Sequence, residues 1–339
     1  MRLVFFGTPA FAVPSLQCLI DHPDFDVVAV VTQPDRRRGR GSEVIPSPVK
    51  QVAAAAGIPV WQPDRVKKDP ETLDRLRATQ ADAFVVVAYG QLLSVEILAM
   101  PRLGCINGHG SILPAYRGAA PIQRCLQAGD THTGIVTMLM DEGMDTGPML
   151  LRGDTPIALL DNAHTLAERL AAIAADLLPP TLLGLADGSI VPQPQPEGAT
   201  HAPPIKKTEW AIDWSRSAID LHNQIRGLIP NCHSSLRGSG LKLLETMPLG
   251  PDFWPHLPAS LAPIAPQWPD LTQQWESIAG PPGTIVGILK PWGPVIRTGH
   301  GYLLLHQVIP AGKRSQSGWD FANGMRLQPG ESMDNPTPT

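Results

Sequence analysis

The alternation of short apolar runs with amphipathic segments in residues 3–140 constrains the fold more than any other feature of this sequence. Apolar runs of strand length, bounded by Gly, Pro or Asp, predict buried strands, and the segments between them have helical spacing. The predicted strands are residues 3–6, 27–32, 83–88, 105–107 and 135–140, and the predicted helices are residues 13–20, 48–56, 70–79 and 120–128. Strands that alternate with helices predict an α/β fold with an open, doubly wound parallel sheet, which binds ligands beyond the carboxyl ends of its strands.

A proline-rich stretch divides the chain. An Ala- and Leu-rich helix is predicted for residues 163–186, and residues 192–204 (PQPQPEGATHAPP) then have the composition of a semi-rigid linker. Beyond the linker we predict a helix at residues 210–225 and a small β-barrel with strands at 242–245, 284–289, 294–298 and 302–308. We therefore expect domains at residues 1–190 and 208–331, a linker at 191–207 and a disordered tail at 332–339.

Residues 248–282 interrupt the predicted barrel. They hold nine prolines and three tryptophans, with neither helical nor strand periodicity. Long stretches without secondary structure are uncommon inside a compact domain. We therefore expect this segment to be an insertion that leaves the barrel and returns to it.

The composition excludes several classes of protein. Of 339 residues, 43% are hydrophobic, and no uninterrupted apolar run approaches the roughly 18 residues that a membrane span requires. The apolar stretch at the N-terminus is too short for a signal peptide. The four cysteines include no Cys-x-x-Cys pair, which disfavours disulfides and thiolate zinc sites and fits the cytoplasm. Because 27 basic residues face 31 acidic ones, any contact with nucleic acid must use a local patch.

The turn after the first predicted strand contains a single glycine, Gly7. A dinucleotide-binding turn needs the pattern Gly-x-Gly-x-x-Gly, so NAD binding is disfavoured. The sequence also lacks the phosphate-binding loop of NTPases and the Gly-x-Ser-x-Gly turn of α/β-hydrolases.

The densest polar cluster, Asn107-Gly108-His109, follows a predicted strand. Two residues apart on an extended segment, the Asn and His side chains point to the same side. Asp145 follows the strand predicted at 135–140, and we expect its loop to open onto the same crevice. The residue types are equally compatible with a hydrogen-bonded loop histidine and a turn-forming aspartate.

A second polar signal is the arginine-rich loop at residues 35–41 (DRRRGRG). Guanidinium groups match the geometry of phosphate, and the glycines let the loop adjust on binding. Composition alone is also compatible with a solvated surface loop.

Seven strings along the chain together resemble the tRNA-acting branch of the 10-formyltetrahydrofolate-dependent formyltransferase family. Asn107-x-His109 with Asp145-Thr146-Gly147 marks the wider family. The branch that acts on tRNA is marked by QPDR (33–36), SPVK (47–50), RGAAPI (117–122) and QPG (328–330). The strings are FGTP (6–9), TQPDR (32–36), PSPVK (46–50), VAYG (87–90), NGHGSILP (107–114), RGAAPI (117–122) and DTG (145–147). The resemblance extends from Leu3 to about Glu331.

The resemblance implies a Rossmann-like formyltransferase domain followed by an OB-like barrel that helps to hold tRNA. It implies formyl transfer from folate N10 to the α-amine of methionine on charged initiator tRNA, without a metal, and we expect a cytoplasmic monomer that binds no membrane. By position, the catalytic residues are Asn107, His109 and Asp145. The folate-binding residues are Ser111, Ile112, Leu113 and Pro114, with Val87, Ala88, Tyr89, Gly90, Gln91 and Leu92 as a wall of the pterin pocket. The tRNA-binding residues are Arg36, Arg37, Arg38 and Arg40.

Two other functions remain open at this point. A folate-dependent formyltransferase acting on a sugar amine or a small purine precursor would share Asn107, His109 and Asp145, but would not need the arginine loop or the barrel. A non-catalytic RNA-binding protein on the same fold would not need the catalytic set. Residues 227–233 (GLIPNCH) and the insertion also depart from the family pattern in the second half of the chain.

Overall fold

The structure, a computed structural model, describes residues 1–37 and 44–335. They cluster into two compact units: Met1–Pro121, His132–Thr155 and Ala167–Pro203 form the first, and Ile122–Thr131, Pro156–Leu166 and Pro204–Thr339 are assigned to the second. Of the predicted tRNA-binding residues, Arg38 and Arg40 lie outside the described residues, as do the side chains of Arg36 and Arg37. Residues 336–339 of the predicted disordered tail also lie outside them, whereas Met333–Asp334 of that tail form a strand.

The first unit is built on a mainly parallel sheet. Its strands are β1 (Arg2–Gly7), β2 (Asp26–Val31), β3 (Arg36–Arg37), β4 (Val44–Ile45), β5 (Val60–Trp61), β6 (Ala83–Val87), β7 (Cys105–His109), β8 (Arg117–Gly118), β9 (His132–Leu139), β10 (Met149–Pro156) and β11 (His201–Ala202). The main sheet has the order β10-β9-β7-β6-β1-β2-β5, while β3 pairs with β4 and β8 with β11. β1, β2, β5, β6 and β7 are parallel, as the alternation predicts. The chain reverses its direction of winding between β1 and β6, which confirms the Rossmann-like topology.

Helices pack on both faces of this sheet. These helices are α1 (Val13–Asp21), α2 (Pro48–Ala55), α3 (Pro70–Ala78), α4 (Val95–Leu98) and α6 (Ala163–Asp187), whereas residues 122–128 of α5 (Pro121–Ala128) cluster with the second unit. Alternate residues of β1 enter two cores: Leu3 and Phe5 pack with residues of α1, α2 and α6, and Phe6 packs with residues of α3 and α4. Because consecutive strand residues point to opposite faces, the continuous apolar runs serve both cores.

The sheet departs from the prediction at one edge. β9 is antiparallel to β7, with Ile106 opposite Leu139 and His109 opposite Val136. The prediction of an entirely parallel sheet is therefore wrong for this strand. β10 was not predicted because seven of its eight residues are partly buried or exposed, and an edge strand of this kind has no long apolar run.

α6 is, among the described residues, a helix long and apolar enough by length and composition to cross a membrane. The apolar residues of α6 do not form an uninterrupted run, because charged residues such as Asp176 lie among them. Its Leu178 and Leu182 are fully buried in the core of the first unit. The helix continues through Pro179 and Pro180, a point that the sequence leaves open.

The second unit contains a curled antiparallel sheet. Its elements after residue 204 include α7 (Ala218–Leu228), β12 (His233–Leu236), β13 (Ser239–Leu249), α8 (Trp268–Glu276), β14 (Ile285–Leu289), β15 (Gly293–Arg297), β16 (Tyr302–Pro310), β17 (Gln316–Ser317), α9 (Gly318–Met325) and β18 (Met333–Asp334). The strand order is β14-β15-β16-β13-β12-β18, with β17 paired to β16. The two edges meet because Gly283 accepts a backbone hydrogen bond from Met333, and Ile285 donates to Glu331 and accepts from Gly330. The sheet thus curls as the predicted small barrel requires.

Residues 250–282 form an aromatic cap on the sheet of the second unit. The composition predicts no regular element here, whereas the structure has the 3₁₀ helices Trp254–His256 and Ala259–Gln267 followed by α8. Trp275, at 2% exposure, packs with Val295 and Leu304, while the neighbouring Ile296 belongs to the opposite core. Prolines are tolerated because several occupy first turns, where no amide donor is needed. The barrel sheet therefore has an apolar core on each face.

Candidate active site

The carboxyl ends of β1, β2 and β6 surround a cavity of about 230 Å³. Thr8 and Pro9 follow β1, residues 33–35 follow β2, and residues 88–90 follow β6. Ser47, which caps the N-terminus of α2, also lines the cavity. The cavity lies where the strand order reverses, which is the usual ligand position in open α/β sheets.

The loop after β6 lines this cavity with its backbone. Ala88 and Gly90 have positive φ angles of 48° and 83°. The Tyr89 side chain turns away into the core, is 1% exposed and contacts the ring of Phe6. Burial raises the pKa of the Tyr89 phenol above its ordinary value. The predicted wall of the pterin pocket is therefore mainly main chain at residues 88–90.

The other predicted wall residues have different environments. Val87 is fully buried, and Leu92 is 64% exposed. Gln91 accepts a hydrogen bond from the Val66 amide at 2.8 Å and donates one to the Pro63 carbonyl at 3.1 Å. The side chain of Gln91 thus fixes the neighbouring loop.

A polar cluster supports the side of the cavity formed by Asp35. Lys50 Nζ lies 2.5 Å from Asp35 Oδ2, and Gln62 Nε2 lies 2.8 Å from Asp35 Oδ1. Burial opposes ionisation of Asp35, but the hydrogen bonds from Lys50 and Gln62 hold its pKa below the ordinary value. Lys50 of the Ser-Pro-Val-Lys string is therefore engaged in an ion pair that orders the start of the arginine-rich loop.

The three predicted catalytic residues converge beside the carboxyl end of β7. Asn107 Nδ2 lies 3.5 Å from Asp145 Oδ1, and His109 Nδ1 lies 3.6 Å from Asp145 Oδ2. The side chains of His109 and Asp145 are 6% and 17% exposed. An amide donor, an imidazole and a carboxylate therefore share one sheltered position.

Asp145 reaches this position by a path that the sequence analysis did not predict. Because β9 is antiparallel to β7, its own carboxyl end lies beside Ile106, at the start of β7. Residues 140–148 turn back from there and bring Asp145 to His109. Asp145 has a φ of 55°, a left-handed conformation that Asp tolerates better than most residues.

The segment before and within β8 holds both titratable side chains. His109 Nε2 lies 3.0 Å from the Tyr116 carbonyl, and the Gly118 amide donates to Asp145 Oδ2 at 2.8 Å. Since a carbonyl only accepts hydrogen bonds, Nε2 of His109 carries a hydrogen. The nitrogen that faces Asp145 is therefore Nδ1.

The predicted folate segment forms the turn after His109. Ser111 is fully buried and donates to the Ala115 carbonyl at 2.6 Å. Ile112 and Leu113 pack with Val136 of β9, and the bond between Leu113 and Pro114 is cis. The side chains of Ser111 and Leu113 thus stabilise the turn.

Sequence reasoning missed Gln195, because a Pro-Gln repeat is typical of a linker. Gln195 Nε2 donates to the carbonyls of Asp145 and Gly147 at 2.8 Å each. Further along the same stretch, Thr200 binds the backbone of Tyr116 and Arg117. No periodicity or motif in the sequence signals these contacts.

This arrangement can perform acid–base and electrostatic chemistry. Asn107 and His109 can donate hydrogen bonds to a developing negative charge. Asp145 can accept or relay a proton, since its carboxylate lies within 3.6 Å of His109.

Comparisons with known proteins cover nearly the whole chain. Residues 1–182 match the family model for formyl transferase, and residues 204–326 match that for the formyl transferase C-terminal domain. The methionyl-tRNA formyltransferase of Trichodesmium erythraeum (strain IMS101) is 58% identical over 332 residues, which are 98% of this chain and 98% of the relative. That of Synechocystis sp. (strain ATCC 27184 / PCC 6803 / Kazusa) is 58% identical over 327 residues, 96% of this chain and 98% of the relative.

Solved structures share the fold at low identity. WlaRD, a sugar 3N-formyl transferase solved in the presence of dTDP and 5-N-formyl-THF, aligns with a TM-score of 0.63 at 17% identity, over 93% of this chain and 99% of that one. HypX from Aquifex aeolicus in complex with tetrahydrofolic acid aligns with a TM-score of 0.58 at 12% identity, over 95% of this chain and 47% of that one. These likenesses concern the fold alone.

Proposed function

Since the chain belongs to the formyl transferase family, we propose that it transfers the formyl group of 10-formyltetrahydrofolate to the α-amine of methionine on charged initiator tRNA. The product is N-formylmethionyl-tRNA for translation initiation. Relatives named methionyl-tRNA formyltransferase, 58% identical over nearly full length, support this choice of substrate. The observation that carries the chemistry is the convergence of Asn107, His109 and Asp145 within 3.6 Å.

Asn107 and His109 act on the oxygen of the formyl group. Attack by the amine turns this carbonyl oxygen into an oxyanion, which hydrogen-bond donors stabilise most when they are already in place. Asn107 Nδ2 is one donor, and the other is Nδ1–H of protonated His109, since Nε2 of this ring already donates to the Tyr116 carbonyl. β7 holds both residues by its backbone pairing with β6 and β9.

Asp145 acts on the proton of the amine. A free α-amine has a pKa of about 8, so a large share is protonated at neutral pH and must lose a proton before attack. The Asp145 carboxylate lies 3.6 Å from His109 Nδ1. Asp145 accepts the proton directly or through a water, and the proton then passes to N10 as the bond between the formyl carbon and N10 breaks and tetrahydrofolate leaves.

The folate is bound beside Asn107. The loop at residues 87–92 follows β6 and the turn at residues 111–114 follows β7, and β6 and β7 are neighbours in the sheet. A ligand held between them lies at the carboxyl edge of the sheet, beside the end of β7 that carries Asn107 and His109. Among proteins that share the fold, WlaRD was solved in the presence of 5-N-formyl-THF and HypX in complex with tetrahydrofolic acid.

The tRNA is held by the arginine-rich loop and the barrel. Arg36, Arg37, Arg38 and Arg40 match phosphate geometry, and the paired β3 and β4 form the base of their loop. We expect a monomer that acts in the cytoplasm, where charged initiator tRNA is found.

Replacing Arg37, Arg38 and Arg40 by Ala should make tRNA binding less sensitive to salt. The slope of the logarithm of the binding constant against the logarithm of the salt concentration should fall by roughly 0.7–0.9 for each lost phosphate contact. An unchanged slope would remove this loop from the tRNA interface.

One assay tests the substrate. The protein is given 10-formyltetrahydrofolate with charged initiator tRNA, elongator methionyl-tRNA, a dTDP-linked amino sugar or glycinamide ribonucleotide. We expect formylation of initiator methionyl-tRNA with the highest kcat/KM. Faster formylation of either small amine would overturn the proposal, and no formylation of any substrate would favour a non-catalytic RNA-binding protein.

A further inference from the structure

We propose that Gln195 is a positioning residue that holds the Asp145 loop in its active geometry. Gln195 lies in the Pro-Gln repeat whose composition predicts a linker, and its side-chain amide reaches the loop at residues 140–148. The proposal rests on the proposed function for the reaction that is assayed. Its structural part concerns only contacts within the first unit.

Both the nitrogen and the oxygen of the Gln195 side-chain amide form hydrogen bonds. Nε2 donates to the carbonyl oxygens of Asp145 and Gly147, at 2.8 Å each. Oε1 accepts from Nε and Nη2 of Arg117, at 3.1 and 2.7 Å. An amide has two donor hydrogens and two acceptor lone pairs, so every hydrogen-bonding position of this side chain is filled.

Arg117 fixes which way the amide faces. A guanidinium only donates hydrogen bonds, so the oxygen of Gln195 must point to Arg117 and the nitrogen to the two carbonyls. This orientation supplies donors where the Asp145 loop needs them. Arg117 therefore takes part in positioning through Gln195.

The Asp145 loop needs such support because its conformation is unusual. Asp145 has a φ of 55°, outside the region that non-glycine residues favour. Residues 141–144 are exposed and contribute little packing. Two hydrogen bonds to carbonyls at residues 145 and 147 hold the backbone on both sides of Thr146.

Through Arg117, Gln195 is also connected to the hydrogen bond that holds the Asp145 carboxylate. Arg117 is followed directly by Gly118, whose amide donates to Asp145 Oδ2 at 2.8 Å. Gln195 therefore joins the main chain of Asp145 to the strand that binds its side chain. Loss of this link should let the carboxylate leave His109, and a displacement of about 1 Å is enough to lower catalysis by roughly 10²-fold.

The test compares Gln195→Glu with Gln193→Glu. Glutamate at 195 keeps the size and the partner Arg117 but replaces both donors with an oxygen facing two carbonyls. Gln193 is exposed, and its side-chain amide donates to the Val191 carbonyl, so the same chemical change there leaves the Asp145 loop untouched. Gln195→Met provides a variant of similar size without charge, in case the glutamate variant is poorly folded.

We expect Gln195→Glu and Gln195→Met to lower kcat by about 10- to 100-fold with KM for both substrates within about threefold. Gln193→Glu should match the wild type. In an Asp145→Asn background, Gln195→Glu should cause less than about threefold further loss, since both changes act on one group. Additive losses, or an effect confined to KM, would overturn the positioning role.

A readout independent of activity separates this inference from the proposed function. Hydrogen exchange of the Gly118 amide, followed by NMR, reports its bond to Asp145 directly. We expect faster exchange at Gly118 in both Gln195 variants and wild-type exchange in Gln193→Glu. Unchanged exchange in the folded Gln195 variants would overturn the inference even if the substrate assignment holds. Faster exchange without tRNA formylation by the wild type would instead contradict the proposed function alone.

Discussion

His109 in the first unit and His222 in the second are both buried. In each residue Nε2 faces a backbone carbonyl, but the group that faces Nδ1 differs. Nε2 lies 3.0 Å from the Tyr116 carbonyl in His109 and 2.8 Å from the Leu159 carbonyl in His222. Nδ1 of His109 faces the Asp145 carboxylate, whereas Nδ1 of His222 lies 3.0 Å from the hydroxyl of Thr246. A proton on Nδ1 therefore faces a negative charge in the first unit and a neutral hydroxyl in the second.

On the proposed function, this difference separates a histidine placed for chemistry from one placed for structure. The two residues are 5% and 2% exposed, so burial alone does not distinguish them. Burial, assisted by the positive charge of Arg226, lowers the pKa of His222 to about 4. His222 is thus neutral near pH 7 and accepts the Thr246 hydroxyl hydrogen. The two histidines differ in the group that faces Nδ1, which is a carboxylate for His109 and a hydroxyl for His222.

The largest expected effect is at His109. His109→Ala should lower kcat/KM for charged initiator tRNA by about 10²–10⁴, because it removes a donor to the oxyanion and the proton partner of Asp145. The thermal midpoint should stay near that of the wild type. His222→Gln is the matched control: it should lose stability and keep its activity per folded molecule. Activity of His109→Ala within a few-fold of the wild type would remove this residue from the mechanism.

Asp145→Asn tests the charge opposite His109. Asn tolerates the left-handed backbone and can still accept from the Gly118 amide, so the loop should keep its shape. We expect kcat to fall by about 10²–10³, since only the negative charge and proton acceptor are lost. Steady-state kinetics with charged initiator tRNA measure this, and a loss under threefold would show that His109 works without the carboxylate.

His222 should make the stability of the second unit depend on pH. Its folded pKa of about 4 lies below the ordinary value of about 6.5, so its contribution is complete above about pH 7 and is lost as the pH falls towards 4. Between pH 7 and pH 5 this one group should lower the free energy of unfolding by about 2 kcal/mol. Urea titrations at the two pH values measure the difference.

A variant of His222 tests whether this residue causes the pH dependence of the unfolding free energy. His222→Gln has no titrating ring and should show a correspondingly smaller difference between pH 7 and pH 5. Equal pH dependence in the wild type and His222→Gln would contradict the assignment of a neutral structural role.

The smallest expected effect is at Thr246. Thr246→Val keeps the shape of a side chain that is 4% exposed and removes the donor to Nδ1 of His222. Leaving a buried acceptor unpaired should cost about 1 kcal/mol of unfolding free energy. The kcat of the folded variant should equal that of the wild type, and a stability unchanged within 0.3 kcal/mol, roughly the accuracy of such comparisons, would mean that the hydroxyl is dispensable.

β7 shows why part of the site could be predicted from the sequence. A buried parallel strand is a continuous apolar run, and the period of two places Asn107 and His109 on one side. The carboxyl end of such a strand is a position where ligands bind. These inferences need only local sequence and the geometry of extended chains.

Asp145 and Gln195 show why the rest could not be predicted. The direction of β9 depends on the path of the chain between β7 and β9, and the residues at 135–140 do not indicate that direction. Gln195 binds carbonyl groups up to 50 residues away in sequence, and carbonyls belong to every residue type. The aromatic cap likewise gains its structure by packing on a sheet that the segment itself does not contain.

The closure of the barrel by residues 330–333 sets the order of events while the protein is being synthesised. Gly283 and Ile285 find backbone partners in that short segment. A nascent chain translated through residue 203 already holds every described strand of the main sheet, whereas the edges of the barrel cannot join until residue 333 has left the ribosome. Residues 122–131 and 156–166 cluster with the second unit and must wait for it as well. Translation therefore keeps these two early stretches of the chain without final neighbours such as Glu209 and His222 until the start of the second unit beyond residue 204 has been made.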